Sequence, residues 1–264
     1  MREPGLEEAI RAAGGVSELA RRLGIAQPSV SNWERVPAER VASVEEVTGI
    51  DRARLRPDLF AARATAEAIH EVDAARAQEY ALLATLLARA PDRDLLARLA
   101  RLKSDASPLG VAHGKLAQAA GTADAARLER EYFNLFLGVG RGEVLPYGSY
   151  YLTGFLHERP LARLRGDLAD LGIARAEDQC EPEDHIAILC EVMAGLAGGR
   201  FVANAGGGDR RGVEKQFFDR HVAPWARRFF ADLERADAAD FYRAVAAVGA
   251  TLIDIETEAF ALPS

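Results

Sequence analysis

The sequence predicts an all-α protein. Alanine, leucine, arginine and glutamate dominate its 264 residues, whereas β-branched and aromatic residues are sparse, and that balance favours helices over strands. No segment shows the convincing alternation of apolar and polar residues that marks a half-buried strand. A hydrophobic fraction of 49% over this length is enough for one large domain or two unequal ones.

Composition also restricts the class of protein. The net charge of -7 argues against a surface coated uniformly with phosphate-binding lysines and arginines. The two cysteines, Cys180 and Cys190, are ten positions apart, and we expect both to be reduced thiols. The N-terminus lacks the apolar core of a secretory signal, and no run of about 18 apolar residues occurs. We therefore expect a soluble cytoplasmic protein without membrane insertion.

The first sixty residues have the pattern of short helices separated by glycines. We predict helices over 6–13 and 17–23, a glycine turn at Gly24, a third helix from Gln27, and a fourth over 37–48. Two short helices joined by a glycine turn, the second carrying small polar residues, make a helix-turn-helix. We place this small all-helical domain at residues 1–60.

This region resembles the Cro/YdaS-like DNA-binding family through ELARRLGIAQPSVSNWERVPAERV at 18–41 and LRPDLF at 55–60. The resemblance implies base contacts in the major groove, where glutamine and asparagine suit adenine, and phosphate contacts from nearby arginines. The residues expected at base edges are Gln27, Ser29, Ser31 and Asn32, and those expected at phosphates are Arg21, Arg22 and Arg35.

The charge of the same region leaves a second interpretation open. Residues 1–60 contain nine arginines, no lysine and ten acidic residues, a net charge of -1, so the electrostatic attraction to DNA is weak. A protein-interaction module is the alternative. DNA binding by a single copy would be weak as well, so it would need dimerisation through the rest of the chain.

The remaining chain divides into a linker and a helical bundle. Residues 61–73 are rich in alanine and charged residues and contain no glycine or proline, which predicts a helical linker. Residues 74–264 read as an all-helical bundle of about nine or ten helices. The clearest is the last, in which one apolar stripe consists of Phe241, Val245, Val248, Leu252, Ile255 and Ala259.

Four short elements of this bundle carry a second resemblance. They are EYFNLFLG at 131–138, PYGSYY at 146–151, EPEDH at 181–185 and FFDRHVAPW at 217–225. Their order resembles that of the TorD/DmsD/NarJ family of dedicated chaperones, which mature molybdenum-containing oxidoreductases. From the first element we assign Tyr132, Leu135 and Phe136 to the core.

The resemblance implies a groove that binds the client's signal peptide, which pairs two arginines with an apolar run. Carboxylates suit guanidinium groups, and aromatic side chains suit the apolar run. We expect Pro182 to start a helix with the neighbouring acidic residues at its positive end. The expected binding residues are Tyr147, Ser149, Tyr150, Tyr151, Glu181, Pro182, Asp184, His185 and Trp225. The alternative for the tyrosines and Trp225 is ordinary packing with satisfied polar tips.

The resulting functional hypothesis is a chaperone and not an enzyme. Its expected partner is the catalytic-subunit precursor of a molybdopterin oxidoreductase of the formate dehydrogenase or DMSO-reductase type, bound as apo form, through its twin-arginine signal peptide, or both, during cofactor loading. The alternative is a transcriptional regulator whose TorD-like domain senses a client or ligand. We expect no cofactor, and no metal, since Glu181 and His185 lack further ligands at recognisable spacing. The glycine-rich connection over 198–208 could let two copies exchange segments and form a homodimer.

Overall fold

The structure is a computed structural model that describes residues 2–175, 180–201 and 210–262, without the side chains of residue 53 and of residues 60–70. Most of the glycine-rich connection, including Gly206, Gly207 and Gly208, lies outside the described residues. The exchange of segments between two copies, expected at this connection, stays a prediction. The chain divides into two compact units, residues 1–72 and 73–264.

The first unit is a set of short helices around a small apolar core. Its elements are α1 (Pro4–Ala13), α2 (Val16–Arg22), α3 (Gln27–Ser31), a 3-10 turn (Ala38–Arg40), α4 (Val41–Thr48) and α5 (Arg52–Leu55). Leu6, Leu19, Val30 and Val44 are fully buried between them. Gly14 ends α1 with a φ of 93°, a left-handed conformation that glycine adopts without steric cost.

Helix α6 (Pro57–Ala88) contains the division between the units and the whole segment expected as a helical linker. The second unit continues with α7 (Arg93–Leu99), α8 (Pro108–Thr122), α9 (Ala125–Tyr132), α10 (Gly148–Thr153), α11 (Arg159–Asp170), α12 (Ile186–Ala197), α13 (Arg210–Phe217), α14 (Ala226–Arg235) and α15 (Phe241–Ala261). Short π-helical turns follow α9 at Phe133–Leu137 and α13 at Phe218–Val222.

The all-α prediction is confirmed. The described ranges contain helices and turns but no strand, and their single β-bridge joins Tyr147 to His185. A bridge of two residues is not a sheet, but it brings two distant segments together and matters for the site below.

The C-terminal helix α15 packs against α8 and α14. Phe241, Val245, Val248 and Leu252 are buried as the apolar stripe predicts, whereas Ile255 is exposed. The stripe is wrong at this point because the buried face drifts around the helix and passes next through Glu256, which is fully buried.

Among the described residues, no helix combines the length and the apolarity that crossing a membrane requires.

Candidate functional site

The β-bridge between Tyr147 and His185 aligns two of the four sequence elements. The Gly148 N–H donates to the Asp184 carbonyl at 2.9 Å, and the Ile186 N–H donates to the Pro146 carbonyl at 2.8 Å. The segments 146–148 and 184–186 therefore lie side by side, although about 35 residues of chain separate them. The expected binding residues on these segments form one cluster.

Asp184 lies inside this cluster and caps a helix. Its Oδ2 atom accepts a hydrogen bond from the Ser149 N–H at 2.7 Å, in the first turn of α10, where helical N–H groups have no partner within the helix. The side chain is only 3% exposed. Pairing of the two segments therefore buries Asp184 instead of leaving its carboxylate on an open surface, and its role in binding a client stays a prediction.

The expectation that Pro182 begins a helix is wrong. Helix α12 begins at Ile186, and Pro182 lies in the preceding turn. His185 is the N-cap residue, with extended backbone geometry, and its Nδ1 atom accepts a hydrogen bond from the Ala187 N–H at 3.1 Å. The histidine thereby performs the capping role that the sequence suggested for the acidic residues before it.

Burial dominates the electrostatics of the cluster. It lowers the pKa of His185 to about 4, against the opposing effect of the Glu181 and Asp184 carboxylates, so the imidazole is neutral and free to accept at Nδ1. The Tyr147 ring meets His185 edge-on at 5.3 Å. The Tyr147 hydroxyl donates to Glu181 Oε2 at 2.6 Å, and burial together with this carboxylate raises the pKa of Tyr147.

The fourth sequence element contributes the buried side chain of Trp225 to the cluster. This side chain is 1% exposed and donates its indole N–H to the His221 carbonyl at 2.7 Å. Tyr151 stacks on it at 5.4 Å with an interplanar angle of 27° and donates its hydroxyl to Asp232 at 3.0 Å. Trp225 and Tyr151 do not border an open groove, so the packing alternative holds for these two residues. Tyr150, by contrast, remains half-buried.

The first sequence element supports the fold around the cluster. Glu131 accepts a hydrogen bond from the Tyr242 N–H at 2.8 Å and so caps the start of α15. Leu135 and Phe136 are buried, as expected for core residues, whereas Tyr132 is only half-buried.

Two buried polar atoms of the cluster have no partner. Among the described residues, Ser149 Oγ and Asp184 Oδ1 are the buried side-chain atoms without a hydrogen-bond partner. Both residues line a pocket of about 260 Å³, together with Tyr147, Leu156 and Pro182. An unpaired carboxylate oxygen inside a protein is costly, so a hydrogen-bond donor from a ligand would be stabilised here.

An exposed apolar loop lies next to this pocket and was missed by our sequence reasoning. Phe155 and Leu156 are 69% and 41% exposed, and Leu152, near the end of α10, is 42% exposed. His157 follows with a φ of 61°. Leu156 and His157 are also part of the pocket wall. The signal in the sequence was the pair Phe155-Leu156 between Gly154 and the polar run at 157–159, where a continuing helix is not expected.

The cluster also borders a larger groove. Its volume is about 600 Å³, and residues of α6 and α12 line it together with Glu181 and His185. The lining includes the small side chains of Ala84, Ala187 and Ala194. Across the described ranges, no three histidine, cysteine or acidic side chains are grouped so that they could hold a metal ion.

In the first unit, the residues expected at DNA bases lie on and just after α3. Gln27, Ser29 and Asn32 are exposed, and Ser31 is half-buried. The Gln27 Nε2 donates to Ser31 Oγ at 2.9 Å. Helix α3 is only five residues long, so its polar side chains form a short row.

The arginines expected at phosphates are already paired with carboxylates. Glu18 accepts hydrogen bonds from Arg21 at 2.5 and 2.9 Å and from Arg22 at 3.1 Å. The Arg35 guanidinium lies 3.7 Å from Asp58. All three arginines are exposed. A phosphate that approaches them has to compete with the carboxylates to which they are already paired.

Comparisons with known proteins match these two parts of the chain separately. Residues 102–231 match the family model described as nitrate reductase delta subunit, and residues 6–64 match the model described as bacterial toxin YdaS.

Two of the similar proteins are chaperones. Chaperone protein TorD of Vibrio cholerae is 29% identical over 129 residues, which cover 48% of this chain and 59% of that protein. The probable Tat proofreading chaperone DmsD of Haemophilus influenzae is 31% identical over 121 residues, which cover 45% of this chain and 55% of that protein. The chain thus spans between half and two thirds of the length of these relatives.

One similar solved structure is a putative redox enzyme maturation protein from Archaeoglobus fulgidus. The two sequences are 19% identical, and the match covers 68% of this chain and 93% of the other chain, with a TM-score of 0.44. The family models confirm both resemblances, and the named chaperones confirm the second: the chain joins an N-terminal region similar to the Cro/YdaS-like family to a region similar to the TorD/DmsD/NarJ family.

Proposed function

We propose that this protein is a cytoplasmic chaperone dedicated to one molybdopterin oxidoreductase. It binds the apo form of that enzyme's catalytic subunit, the subunit's twin-arginine signal peptide, or both, and assists cofactor loading. A client of the formate dehydrogenase or DMSO-reductase type fits the family. The binding is reversible and involves no covalent chemistry.

The observation that carries the proposal is the pocket at Ser149 and Asp184. Its two unpartnered acceptor atoms lie beside an apolar loop that is exposed to solvent. A guanidinium group offers several N–H donors and a full positive charge. An arginine followed by apolar residues therefore matches the pocket and the loop in order, with the arginine at Asp184 and the apolar residues on Phe155 and Leu156.

The remaining exposed parts of the cluster extend this surface. Tyr147 and Pro182 are half-buried in the wall of the pocket, and Glu181, the residue before Pro182, is half-buried as well. Glu181 holds the Tyr147 hydroxyl and supplies a second carboxylate for a second arginine. Trp225 and Tyr151 are buried beneath this surface. They fix the position of α10 and do not contact the client.

The test is a titration of the full chain with a synthetic peptide that contains two consecutive arginines and an apolar run. We expect Asp184→Asn to weaken binding at least tenfold, about 1.4 kcal/mol, because an amide can keep the Ser149 hydrogen bond but loses the charge. Phe155→Ser should weaken binding of the same peptide through lost apolar contact. A peptide in which glutamines replace both arginines should no longer distinguish Asp184→Asn from the wild type.

The matched control is Asp254→Asn, since Asp254 is an exposed carboxylate on α15 that pairs with Arg227. The proposed site would be contradicted if the wild type, Asp184→Asn and Asp254→Asn bound the peptide with equal affinity, with folding verified by circular dichroism. Purification of the tagged chain from its native cytoplasm tests the client separately, and an immature molybdoenzyme subunit is the expected companion.

A second candidate function is transcriptional regulation through DNA binding by the first unit. The exposed row of Gln27, Ser29 and Asn32 supports it, as does the match of residues 6–64 to a Cro-like family. We expect sequence-specific DNA retention to be lost in Asn32→Ala and kept in Asn134→Ala, which changes an exposed asparagine of the second unit. Equal retention of one DNA segment by both variants would contradict base reading by Asn32, and failure of the wild type to retain any DNA segment would contradict this candidate.

A further inference from the structure

Glu18 occupies an unusual position for a helix that is expected to approach DNA. It lies in the first turn of α2, and its carboxylate receives hydrogen bonds from Arg21, three positions later, and Arg22, four positions later. Arg22 also reaches the carbonyl of Val47 at 3.4 Å. One carboxylate therefore holds both arginines of this helix that the family resemblance directs to phosphates.

The carboxylate is charged at every pH that matters for binding. Hydrogen bonds from Arg21 and Arg22 lower the pKa of Glu18 to about 2. A phosphate that contacts either arginine must replace a full negative charge already in place, and Glu18 also repels the approaching phosphate. Arginines that stay paired with Glu18 neutralise fewer phosphates, so DNA binding releases fewer counterions.

We propose that Glu18 is an intramolecular competitor of DNA phosphates, which holds Arg21 and Arg22 and thereby keeps the affinity of the first unit for nucleic acid low. This inference rests on the second candidate function, DNA binding, and not on the chaperone function. It explains how a helix-turn-helix with exposed base-reading residues can have a weak electrostatic attraction to DNA. Such a unit would bind firmly only where base contacts or a second copy add to the affinity.

The test uses the full chain and a short fluorescein-labelled DNA duplex of arbitrary sequence, with binding followed by anisotropy over a series of salt concentrations. We expect Glu18→Gln to bind about three- to tenfold more tightly at low salt, since both arginines become available to phosphates. The slope of log K against log salt should steepen by about one to two, the value for one or two further phosphate contacts.

Glu7→Gln is the matched control because it removes the same charge from an exposed position on α1. It should leave the salt slope at the wild-type value. A double-mutant cycle adds a readout that net charge alone would not change: Arg21→Ala should lose more affinity in the Glu18→Gln background than in the wild type.

The outcomes separate the inference from the candidate function beneath it. DNA binding that is the same in Glu18→Gln and Glu7→Gln, with additive effects of Arg21→Ala, would overturn the inference and leave DNA binding intact. Absence of binding to any duplex by every variant, with helical content unchanged by circular dichroism, would overturn both.

Discussion

Burial decides the protonation of His185, and this makes the histidine a source of pH-dependent stability. The side chain is 5% exposed, and its pKa falls from 6.5 to about 4. In the unfolded chain the same imidazole takes up a proton near its ordinary pKa. As the pH falls, the unfolded state therefore binds this proton before the folded state does.

A folded-state pKa below the unfolded value means that the stabilisation is complete above about pH 6.5 and is lost as the pH falls toward 4. The shift corresponds to about 3 kcal/mol over that window. We expect His185→Asn, which keeps a capping side chain, to remove this part of the pH dependence. The measurement is urea unfolding of wild type and variant at several pH values between 7 and 4.5.

His221, whose pKa is also lowered by burial, contributes with the same sign, so the difference between wild type and variant isolates His185. The control is His157→Asn at an exposed position, where asparagine tolerates the left-handed backbone. Parallel pH profiles for the wild type and His185→Asn would show that His185 is not the titrating group.

Residue roles were only partly predictable from the sequence. The elements at 146–151 and 181–185 could be recognised, because residue type and order are written in the chain. Whether Asp184 faces solvent could not, because its burial depends on Ser149, 35 residues earlier in the chain. Long-range pairing of this kind leaves no periodic signal.

Close packing between α14 and α15 depends on one glycine. A Cβ atom added at Gly249 would lie 2.1 Å from Phe230 Cε1, and the Phe230 ring is itself fully buried. Gly166 in α11 is the natural comparison, because a Cβ atom there would meet nothing within 4 Å. The two positions separate helix propensity from packing.

We expect Gly166→Ala to raise the free energy of unfolding by about 0.5–1 kcal/mol, the usual gain from replacing a helical glycine. Gly249→Ala should lower the free energy of unfolding by about 1–3 kcal/mol, because the added methyl group displaces the Phe230 ring. Chemical denaturation of both variants measures the two signs. If both substitutions raised the free energy of unfolding, α14 and α15 would have to move apart and accommodate the added methyl group without a loss of stability.

Helix boundaries set by neighbouring residues were easier to predict than those set by distant ones. The end of the helix predicted over 6–13 is correct, because Gly14 itself terminates α1 directly after Ala13. The start of α12 was predicted too early, because proline and acidic residues at 181–184 imitate a helix N-terminus. The bridge to Tyr147 holds that segment extended instead.

At the scale of the whole molecule, composition was enough to predict that the described residues are helical throughout. The interactions that tie the larger unit together were not predictable, because they join charged residues far apart in the chain. Arg76 on α6 contacts Glu214 on α13 and Glu256 on α15, separated from it by 138 and 180 residues.

These three side chains form a buried ionic network. Arg76 Nη2 lies 2.5 Å from a carboxylate oxygen of each glutamate, and Tyr80 donates its hydroxyl to Glu256 at 3.1 Å. Glu214 and Glu256 are 1% and 0% exposed. Burial raises the pKa of Glu214, while Arg76 opposes that shift. Each carboxylate therefore depends on Arg76 for its compensating charge.

Arg76→Met should destabilise the second unit by about 3–5 kcal/mol at neutral pH, because it leaves two buried carboxylates without a cation. Arg227→Met, which breaks the exposed pair with Asp254, should cost less than about 1 kcal/mol. Without Arg76 the folded-state pKa of Glu214 rises further, so protonation of this carboxylate relieves the repulsion as the pH falls. The deficit of Arg76→Met relative to wild type should therefore shrink between pH 8 and pH 5 in urea unfolding. A deficit that is constant over this range would assign the loss to side-chain packing instead of to uncompensated charge.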